Sequence, residues 1–198
     1  MGTTCIEVSQ IKVNDAYKAD PGIIKPALGI LSKVDGIISA FQGLDLENPE
    51  NLYFLQAWKD IKYHHDFQAD ESIYSRLLSE VGRFTSGYQL FHVMFIEDPF
   101  EIFSSPLTEL TSWKLAEGVD AGTFTMHLKN FIMEIRKRHA QSGAFGQAVE
   151  DRQVFVMVIG WDSLESALRD PLIEQPISEL SELAVLERRA FQLESFKS

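Results

Sequence analysis

Cysteine is nearly absent from this sequence. The single cysteine, Cys5, cannot pair within the chain, so a fold held together by disulfides is excluded and a reducing compartment is expected. The N-terminal residues also lack a basic segment followed by an apolar one, which is the pattern of a secretory signal. Both observations predict a cytoplasmic protein. Cys5 lies in a predicted strand, where packing is a more common role than nucleophilic chemistry.

Long apolar runs and basic residues are also scarce. The longest apolar run, residues 154–159, is far shorter than the roughly 20 residues that a membrane helix needs. The formal net charge is −11, with 18 lysines and arginines against 29 aspartates and glutamates. Because phosphate binding depends on clustered lysine and arginine, nucleic acid is not an expected partner. We therefore expect neither a membrane nor a nucleic acid as partner.

The sequence contains no familiar catalytic or cofactor motif. Its histidine, cysteine, aspartate and glutamate residues form no cluster at the spacing of metal ligands. Neither a glycine-rich phosphate loop nor a Gly-x-Ser-x-Gly elbow is present. The composition, 45% hydrophobic and 24% charged, is typical of a folded globular protein. We predict a globular chain that uses no metal and no cofactor.

One pattern occurs twice in the chain. Residues 52–57 have the apolar character of a buried strand, and after Trp58 the apolar residues fall at helical spacing. The same change of period recurs at Trp161, about 100 residues later. A pattern that returns at such a distance predicts two copies of one folding unit.

Each half of the chain shows strand and helix patterns in the order β-α-β-β-α-β, and the last strand is predicted near residues 188–196. We predict an α+β fold of two tandem ferredoxin-like units, at residues 1–100 and 107–198, joined by a linker at residues 101–106. The helices would cover one face of each antiparallel sheet. The bare faces would pack together as a pseudo-dimeric α+β barrel, with a pocket in the interior between the two sheets.

Two short motifs of the first half resemble those of a known family. The predicted third strand runs into Trp-x-Asp-x-x-x-His, and the fourth strand reads Tyr-x-x-x-His-Val-x-Phe. The residues are Trp58, Asp60, His64, Tyr88, His92, Val93 and Phe95. These motifs resemble the dimeric α+β barrel superfamily, in particular its antibiotic-biosynthesis-monooxygenase-like (ABM-like) domains, and the fusion of two copies resembles tandem members of fungal type. The second half keeps Trp161 and Ser163, but Ala167 stands at the histidine position.

This resemblance implies a fold and a range of activities. The superfamily includes cofactor-free quinol-type monooxygenases, haem-degrading enzymes, polyketide cyclases, muconolactone-type isomerases and stress-responsive proteins without a known reaction. The His/Tyr pairing of the polyketide cyclases implies proton transfer at a histidine with a tyrosine nearby. Haem binding through His64 or His92 is left open by the resemblance.

The candidate site residues lie mainly in the first half. A histidine is the usual general acid or base near neutral pH, and a tyrosine can hold a developing oxyanion. The predicted catalytic residues are His64, His92 and Tyr88, and the predicted substrate-contacting residues are Trp58, Tyr63, Phe95 and Trp113. Packing in a core is the alternative role for the aromatic residues and for His92. Strand carboxylates, namely Glu7, Glu109 and Glu194, are further candidate bases if they point into an apolar interior.

The leading prediction for function is a cofactor-independent enzyme of small-molecule biosynthesis. It would act on a hydrophobic polyketide or aromatic molecule as a cyclase or isomerase, by His/Tyr general acid–base catalysis. One alternative is a cofactor-free quinol or phenol monooxygenase, and another is a non-catalytic, stress-responsive ligand-binding protein. The predicted partner is the hydrophobic small molecule, with the two halves paired inside one chain and a homodimer left open.

Overall fold

The computed structural model describes residues 4–137, 143–169 and 171–197 and has an α+β architecture. Its strands are β1 Cys5–Val13, β2 Ile37–Leu44, β3 Asn51–Trp58, β4 Thr85–Phe95, β5 Leu107–Leu115, β6 Gly143–Ala148, β7 Val154–Trp161, β8 Ala184–Phe191 and β9 Glu194–Lys197. Its helices are α1 Asp15–Ala19, α2 Lys25–Leu31, α3 Ile61–Ala69, α4 Glu71–Gly82, α5 Phe100–Phe103, α6 Ala121–Arg136, α7 Leu164–Arg169 and α8 Pro171–Ser181, with a 3-10 turn at Pro21–Ile24. Within these ranges, every helix is too short or too polar to cross a membrane.

The chain forms two compact units. Unit 1 consists of Met1–His92 together with Glu194–Ser198, and unit 2 consists of Val93–Leu193. The boundary falls inside β4, whose last three residues belong to unit 2. Strand β9 belongs to unit 1, although it follows all of unit 2 in sequence.

Unit 1 contains its elements in the predicted β-α-β-β-α-β order, from β1 to β4. Its strands lie in the order β4-β1-β3-β2-β9, which is the ferredoxin-like arrangement with one added strand. Strands β1 and β3 pair antiparallel, with Cys5 opposite Trp58 and Glu7 opposite Gln56. Because side chains alternate along a strand, this register places Glu7, Gln56 and Trp58 on the same face of the sheet.

Helices cover the face of the unit 1 sheet that carries Glu7. Leu31 of α2 and Leu77 and Val81 of α4 are buried on this side, near Ile11 of β1. The four-residue step between Leu77 and Val81 gives α4 one apolar side that packs on the sheet. Glu7 therefore points into a layer of apolar side chains.

Aspartates fix where the two helices after β3 begin. Asp60 caps α3 by accepting a hydrogen bond from the backbone N–H of Lys62, and Asp70 caps α4 in the same way through its first turn. Asp60 is the third residue of the Trp-x-Asp motif. The motif therefore marks the point where β3 ends and the helix that carries His64 begins.

Unit 2 has the same order of elements, from β5 through α6, β6, β7, α7 and α8 to β8. Its strands lie in the order β8-β5-β7-β6, and the last residues of β4 pair with β6. Helix α6 packs its apolar side into the core of the unit. The buried residues of this side are Phe124, Leu128, Phe131, Ile132 and Ile135. The paired strands β1/β3, β2/β3, β2/β9, β4/β6, β5/β7, β5/β8 and β6/β7 are all antiparallel, which confirms the predicted α+β class.

Three segments differ from the sequence pattern. Residues 15–19 lie in a stretch rich in turn-forming residues but form the helix α1, because Asn14 accepts hydrogen bonds from two backbone N–H groups at its start. Residues 100–103, next to and inside the predicted linker, form the helix α5, and two of its residues are buried. The strand predicted near residues 188–196 is two strands, because β8 pairs with β5 in unit 2 and β9 pairs with β2 in unit 1.

Substituting Gly146 by alanine is expected to destabilise the protein by more than about 2 kcal/mol. A Cβ at this residue of β6 would lie 2.3 Å from the backbone carbonyl oxygen of Met94, and no side-chain movement relieves a clash with backbone. Gly29 in α2 is the matched control, because no described atom lies within 4 Å of its added Cβ and alanine favours a helix by about 1 kcal/mol. Thermal unfolding measures both effects. Equal melting temperatures for the two variants would contradict the packing described at Gly146.

Candidate active site

Three polar side chains come together beneath the helices of unit 1. Glu7 lies on β1, His64 on α3 and His92 on β4, and they are 4%, 3% and 3% exposed. Burying titratable groups is unfavourable unless they find hydrogen-bond partners, so their clustering in an apolar layer marks a candidate functional site. Glu7, His64 and His92 are called the triad below.

His64 lies between the other two members of the triad. Its Nδ1 is 2.7 Å from His92 Nε2, and its Nε2 is 3.3 Å from Glu7 Oε2. When His64 is neutral, one tautomer donates Nδ1–H to His92 and leaves Nε2 able to accept a proton. When His64 is protonated, Nδ1–H donates to His92 and Nε2–H donates to the carboxylate of Glu7. The protonated form therefore has both of its hydrogen-bond acceptors in place.

The carboxylate of Glu7 is held by three further donors. Ser9 Oγ–H donates to Oε1 at 2.7 Å, Gln56 Nε2–H donates to Oε1 at 3.1 Å, and Trp58 Nε1–H donates to Oε2 at 3.0 Å. With His64 these donors match the roughly four lone-pair sites of a carboxylate. Glu7 therefore has a fixed orientation toward His64.

Trp58 connects the triad to the end of β3. Its indole is fully buried, and the ring centroid lies 5.0 Å from that of His64. The centroids of the two triad imidazoles are 4.7 Å apart. Trp58 thus packs against His64 while its N–H holds Glu7, so it fixes the position of two triad members at once.

A small cavity adjoins the triad on the helix-covered face of the sheet. Its volume is about 50 Å³, and Glu7 and His64 belong to its lining, whereas His92 does not. The apolar part of the lining includes Ile11, Leu31, Phe54, Leu77, Val81 and Leu90. The sequence pattern predicted a pocket between two bare sheet faces, whereas the cavity beside His64 lies on the helix-covered face of its own sheet. Alternation along β4 places His92 on the same face as Leu90, and this face is the one that the helices cover.

Two tyrosines also border the cavity. Tyr88, a predicted catalytic residue, is 50% exposed, and Tyr74 of α4 lies within hydrogen-bonding reach of Tyr88 and Gln68. Burial raises the pKa of Tyr74, and the hydrogen bond with Gln68 opposes this shift. Tyr74 is therefore a neutral phenol near pH 7. Its O–H can donate a hydrogen bond to an oxygen atom of a bound molecule.

The triad is also the place where the described residues could hold a metal ion. Glu7, His64 and His92 each offer a donor atom, and these atoms lie within 4.8 Å of one another. Two imidazoles and a carboxylate suit divalent transition metals. Each nitrogen of His64, however, faces one of the other two residues, so a metal would have to displace both contacts. The geometry fits a hydrogen-bonded triad better than a metal centre.

The structure brings together four of the seven residues proposed from the sequence. These are Trp58, His64, Tyr88 and His92. Tyr63 is 37% exposed and packs over the turn at Gly36, where φ is +87° and an added Cβ would lie 2.4 Å from the Tyr63 side chain. Phe95 and Trp113 belong to unit 2 and are buried. These three residues do not line the cavity beside His64.

Unit 2 has a buried carboxylate at the equivalent strand position, and among the described residues no histidine is paired with it. Glu109 on β5, like Glu7 on β1, comes two residues after the residue that pairs with the strand-end tryptophan. Its Oε1 accepts a hydrogen bond from Arg188 Nε at 2.9 Å and lies 3.3 Å from Thr111 Oγ1. Ala167 stands where unit 1 has His64. Because arginine stays protonated, Glu109 sits in an ion pair and not beside a base.

Sequence reasoning named Glu7 only as a conditional candidate and missed Ser9, Gln56 and Tyr74. The sequence does contain a sign that Glu7 and Ser9 act together. They are two polar residues, two positions apart, on a largely apolar strand, so their side chains share one face of the sheet. Gln56 interrupts the apolar run of β3 in the same way. Tyr74 carries no comparable signal, since it lies on the half-buried side of an ordinary amphipathic helix.

No protein-family model and no curated protein sequence matches this chain. Solved structures do resemble it. A protein from Fusobacterium nucleatum named "putative monooxygenase" has a TM-score of 0.72 at 10% identity, covering 98% of this chain and 94% of that one. A protein of the same name from Lactobacillus acidophilus has a TM-score of 0.67 at 10% identity, with coverage of 98% and 95%. An anthrone oxidase-like protein has a TM-score of 0.66 at 12% identity, with coverage of 99% and 94%.

Identities this low show a common fold and leave activity to be argued from the site. The likeness extends over nearly the whole chain, as the resemblance drawn from the two motifs implied. The chain therefore shares the α+β fold of these monooxygenase-named and anthrone oxidase-like proteins.

Proposed function

We propose that the chain is a cofactor-independent enzyme that removes a proton from a hydrophobic, aromatic or polyketide-like small molecule in unit 1. One observation carries the proposal. His64 borders a mostly apolar cavity, with a fixed carboxylate at one ring nitrogen and a second imidazole at the other. An imidazole so placed is suited to general base catalysis near neutral pH.

His64 is the proposed base. The substrate's acidic hydrogen is proposed to approach from the cavity beside the long, 3.3 Å contact between Nε2 and Glu7, so that Nε2 takes the proton there. The resulting imidazolium keeps the carboxylate of Glu7 as its counter-charge and donates Nδ1–H to His92. Because both acceptors are already positioned, the new charge forms with little rearrangement of its surroundings. His92 is a positioning residue, and Tyr74 and Tyr88 are proposed to donate hydrogen bonds to the oxygen on which negative charge develops.

Oxidation by dioxygen is the first proposed fate of the deprotonated molecule. The names of the structural neighbours, which include an anthrone oxidase-like protein, support it. An anthrone that loses its C10 proton transfers electrons to O₂ and forms a C–O bond as a hydroperoxide. Loss of water, with the remaining C10 hydrogen, leaves the quinone. One oxygen atom of O₂ enters the product and the other leaves as water.

Cyclisation or isomerisation is the second proposed fate. It begins with the same proton removal and consumes no oxygen. The observation that favours it is the pair of tyrosines at the cavity, because a phenol can return a proton to a different atom of the same molecule. Both fates depend on His64.

Proton removal and oxidation can be measured separately on one anthrone. Under argon in D₂O, the protein is expected to accelerate exchange of the C10 hydrogens at least tenfold, as followed by ¹H NMR. In air, it is expected to consume one O₂ per anthrone with formation of the quinone. Exchange without oxygen uptake would support the cyclase or isomerase fate. If neither an anthrone nor a naphthoquinol exchanged or was oxidised above the uncatalysed rate, the proposed function would be wrong.

We also propose several features that the sequence patterns predict. These are the domain boundaries at residues 100 and 107, the packing of two sheets as a pseudo-dimeric barrel, the tandem fungal type and the possible homodimer. The cytoplasmic location and the hydrophobic small-molecule partner belong with them. The sequence pattern predicted catalytic roles for His64, His92 and Tyr88, and we propose them here as base, positioning residue and hydrogen-bond donor, respectively.

A further inference from the structure

The cavity beside His64 is smaller than the molecule that the proposed function requires. About 50 Å³ holds a few water molecules, whereas pockets for small organic ligands measure roughly 300–1,000 Å³. A second and larger space lies among helices α2, α3 and α4 of the same unit. This outer cleft has a volume of about 570 Å³.

One side chain borders both spaces. Among the described residues, Phe67 of α3 is the one that the linings of the cavity and the outer cleft share. It follows His64 by three residues, so the two side chains lie on the same side of the helix. Its ring centroid is 6.1 Å from that of Trp58 and 5.4 Å from that of Tyr74. Phe67 is therefore the wall between the outer cleft and the site of His64.

We propose that the outer cleft binds the end of the substrate remote from the reacting carbon, and that Phe67 turns aside to connect the cleft with the cavity. The assignment of the inner end as the reacting end rests on the proposed function. The joined space is large enough for a planar molecule of three or four fused rings. Apolar side chains from all three helices, including Ile30 and Ile73, provide the surface that such a molecule would cover.

The charges around the outer cleft indicate which group that remote end carries. Three aspartates line the cleft, and each is already engaged. Asp35 lies 3.9 Å from Lys59 Nζ, Asp66 lies 2.6 Å from Lys62 Nζ, and Asp70 accepts hydrogen bonds from the start of α4. Two of the three carboxylates thus face a lysine that does not line the cleft, and the third accepts from backbone N–H groups at the start of a helix.

The outer cleft also carries two cationic side chains that, unlike Asp35 and Asp66, have no partner of opposite charge among the described residues. Lys33 and Arg76 belong to its lining, and in the described part of the chain neither takes part in an ion pair. A lysine and an arginine on one cleft suit a carboxylate, and the arginine can bind it with two parallel hydrogen bonds. The ligand class that follows is a planar polycyclic aromatic molecule with a carboxylate at the end remote from its acidic C–H or O–H group.

A pair of ligands that differ only in charge tests the cleft without any turnover. Isothermal titration of the whole protein with anthraquinone-2-carboxylate and with its carboxamide is expected to give a Kd at least fivefold lower for the carboxylate. The double variant Lys33→Ala/Arg76→Ala is expected to abolish this preference and to leave the carboxamide Kd within twofold. The double variant Lys25→Ala/Arg83→Ala makes the same change of charge at exposed residues outside the cleft and is expected to keep the preference. Equal affinities for the two ligands in the unmodified protein would overturn the assignment.

Two variants of Phe67 test its role as the wall. Phe67→Leu removes ring volume, and the carboxylate is expected to associate at least threefold faster, as measured by stopped-flow quenching of tryptophan fluorescence. Phe67→Trp adds volume and is expected to slow association by a similar factor, provided that circular dichroism shows an unchanged fold. An unaltered association rate in Phe67→Leu would exclude the role of Phe67 as the wall, even if Phe67→Trp slowed association.

His64→Ala separates this inference from the proposed function. The variant is expected to keep the fivefold preference for the carboxylate over the carboxamide, because the charged end of the ligand lies at Lys33 and Arg76 and not at His64. Retained turnover in His64→Ala, together with a strong preference for the carboxylate, would remove the proposed base and keep the cleft. Lost turnover in His64→Ala, together with equal affinities for the carboxylate and the carboxamide, would keep His64 as the base and exclude the proposed role of the outer cleft.

Discussion

Replacing His64 by alanine is expected to lower kcat for the anthrone by roughly 10²- to 10⁴-fold, which is the usual contribution of a positioned general base. The physical reason is that His64 alone of the two triad imidazoles borders the cavity, so His92 cannot take over the proton. KM is expected to change little, because the imidazole acts in the transfer of the proton more than in binding. Oxygen uptake at saturating anthrone measures the effect.

His65 offers a matched control on the same helix. It follows His64 directly, and its side chain is exposed, so His65→Ala is expected to keep kcat within about twofold. The double variant His64→Ala/His92→Ala is expected to be no slower than His64→Ala alone, because residues that act as a unit lose their function together. A folded His64→Ala protein with undiminished kcat would exclude His64 as the base.

Replacing Glu7 by leucine is expected to lower the free energy of unfolding by roughly 3–5 kcal/mol. Ser9, Gln56 and Trp58 each donate a hydrogen bond to this carboxylate, and an apolar side chain would leave these buried donors without it. Denaturant titration followed by tryptophan fluorescence measures the loss. For a chain of this length it corresponds to a fall in melting temperature of about 10 °C.

Two controls show whether the loss comes from buried hydrogen bonds. Glu7→Gln keeps one carbonyl oxygen and the shape of the side chain, so it is expected to be clearly less destabilising than Glu7→Leu. Glu187→Leu makes the same replacement at an exposed strand position and is expected to change stability by less than about 0.5 kcal/mol. If Glu7→Leu were as stable as Glu187→Leu, the hydrogen bonds around the carboxylate would contribute nothing measurable.

Much of the fold was predictable because strand and helix patterns are local. The alternation of apolar and polar residues over Cys5–Val13 and Leu107–Leu115 by itself predicts a strand in each segment, and β1 and β5 have those bounds. Alternation of apolar residues settles such a strand without knowledge of its partners. The strand β9 was merged with β8, because nothing local in residues 188–196 shows that the chain leaves one sheet and pairs elsewhere.

The sequence predicted which types of residue form the candidate site, but it did not predict how these residues are arranged in space. His64 and His92 were selected because histidine suits proton transfer and because the motifs resemble a family, but 28 residues separate them and their contact depends on tertiary packing. The alternation of apolar and polar residues along a strand shows which side chains share a face of the sheet. It does not show which of the two faces the helices cover. The cavity beside His64 therefore lies on a face where the sequence pattern predicted no pocket, and Tyr74 on α4 was missed with it.

Strand β9 has a consequence for the order in which the protein matures on the ribosome. Unit 1 starts first, yet its outermost strand, Glu194–Lys197, is translated only after the roughly 100 residues of Val93–Leu193. At about 5–20 residues per second, this delay lasts roughly 5–20 s. During that interval β2 has an unpaired edge next to β3, the strand that carries Trp58. The unit that contains the triad thus begins folding before unit 2, and its sheet is completed only when β9 emerges.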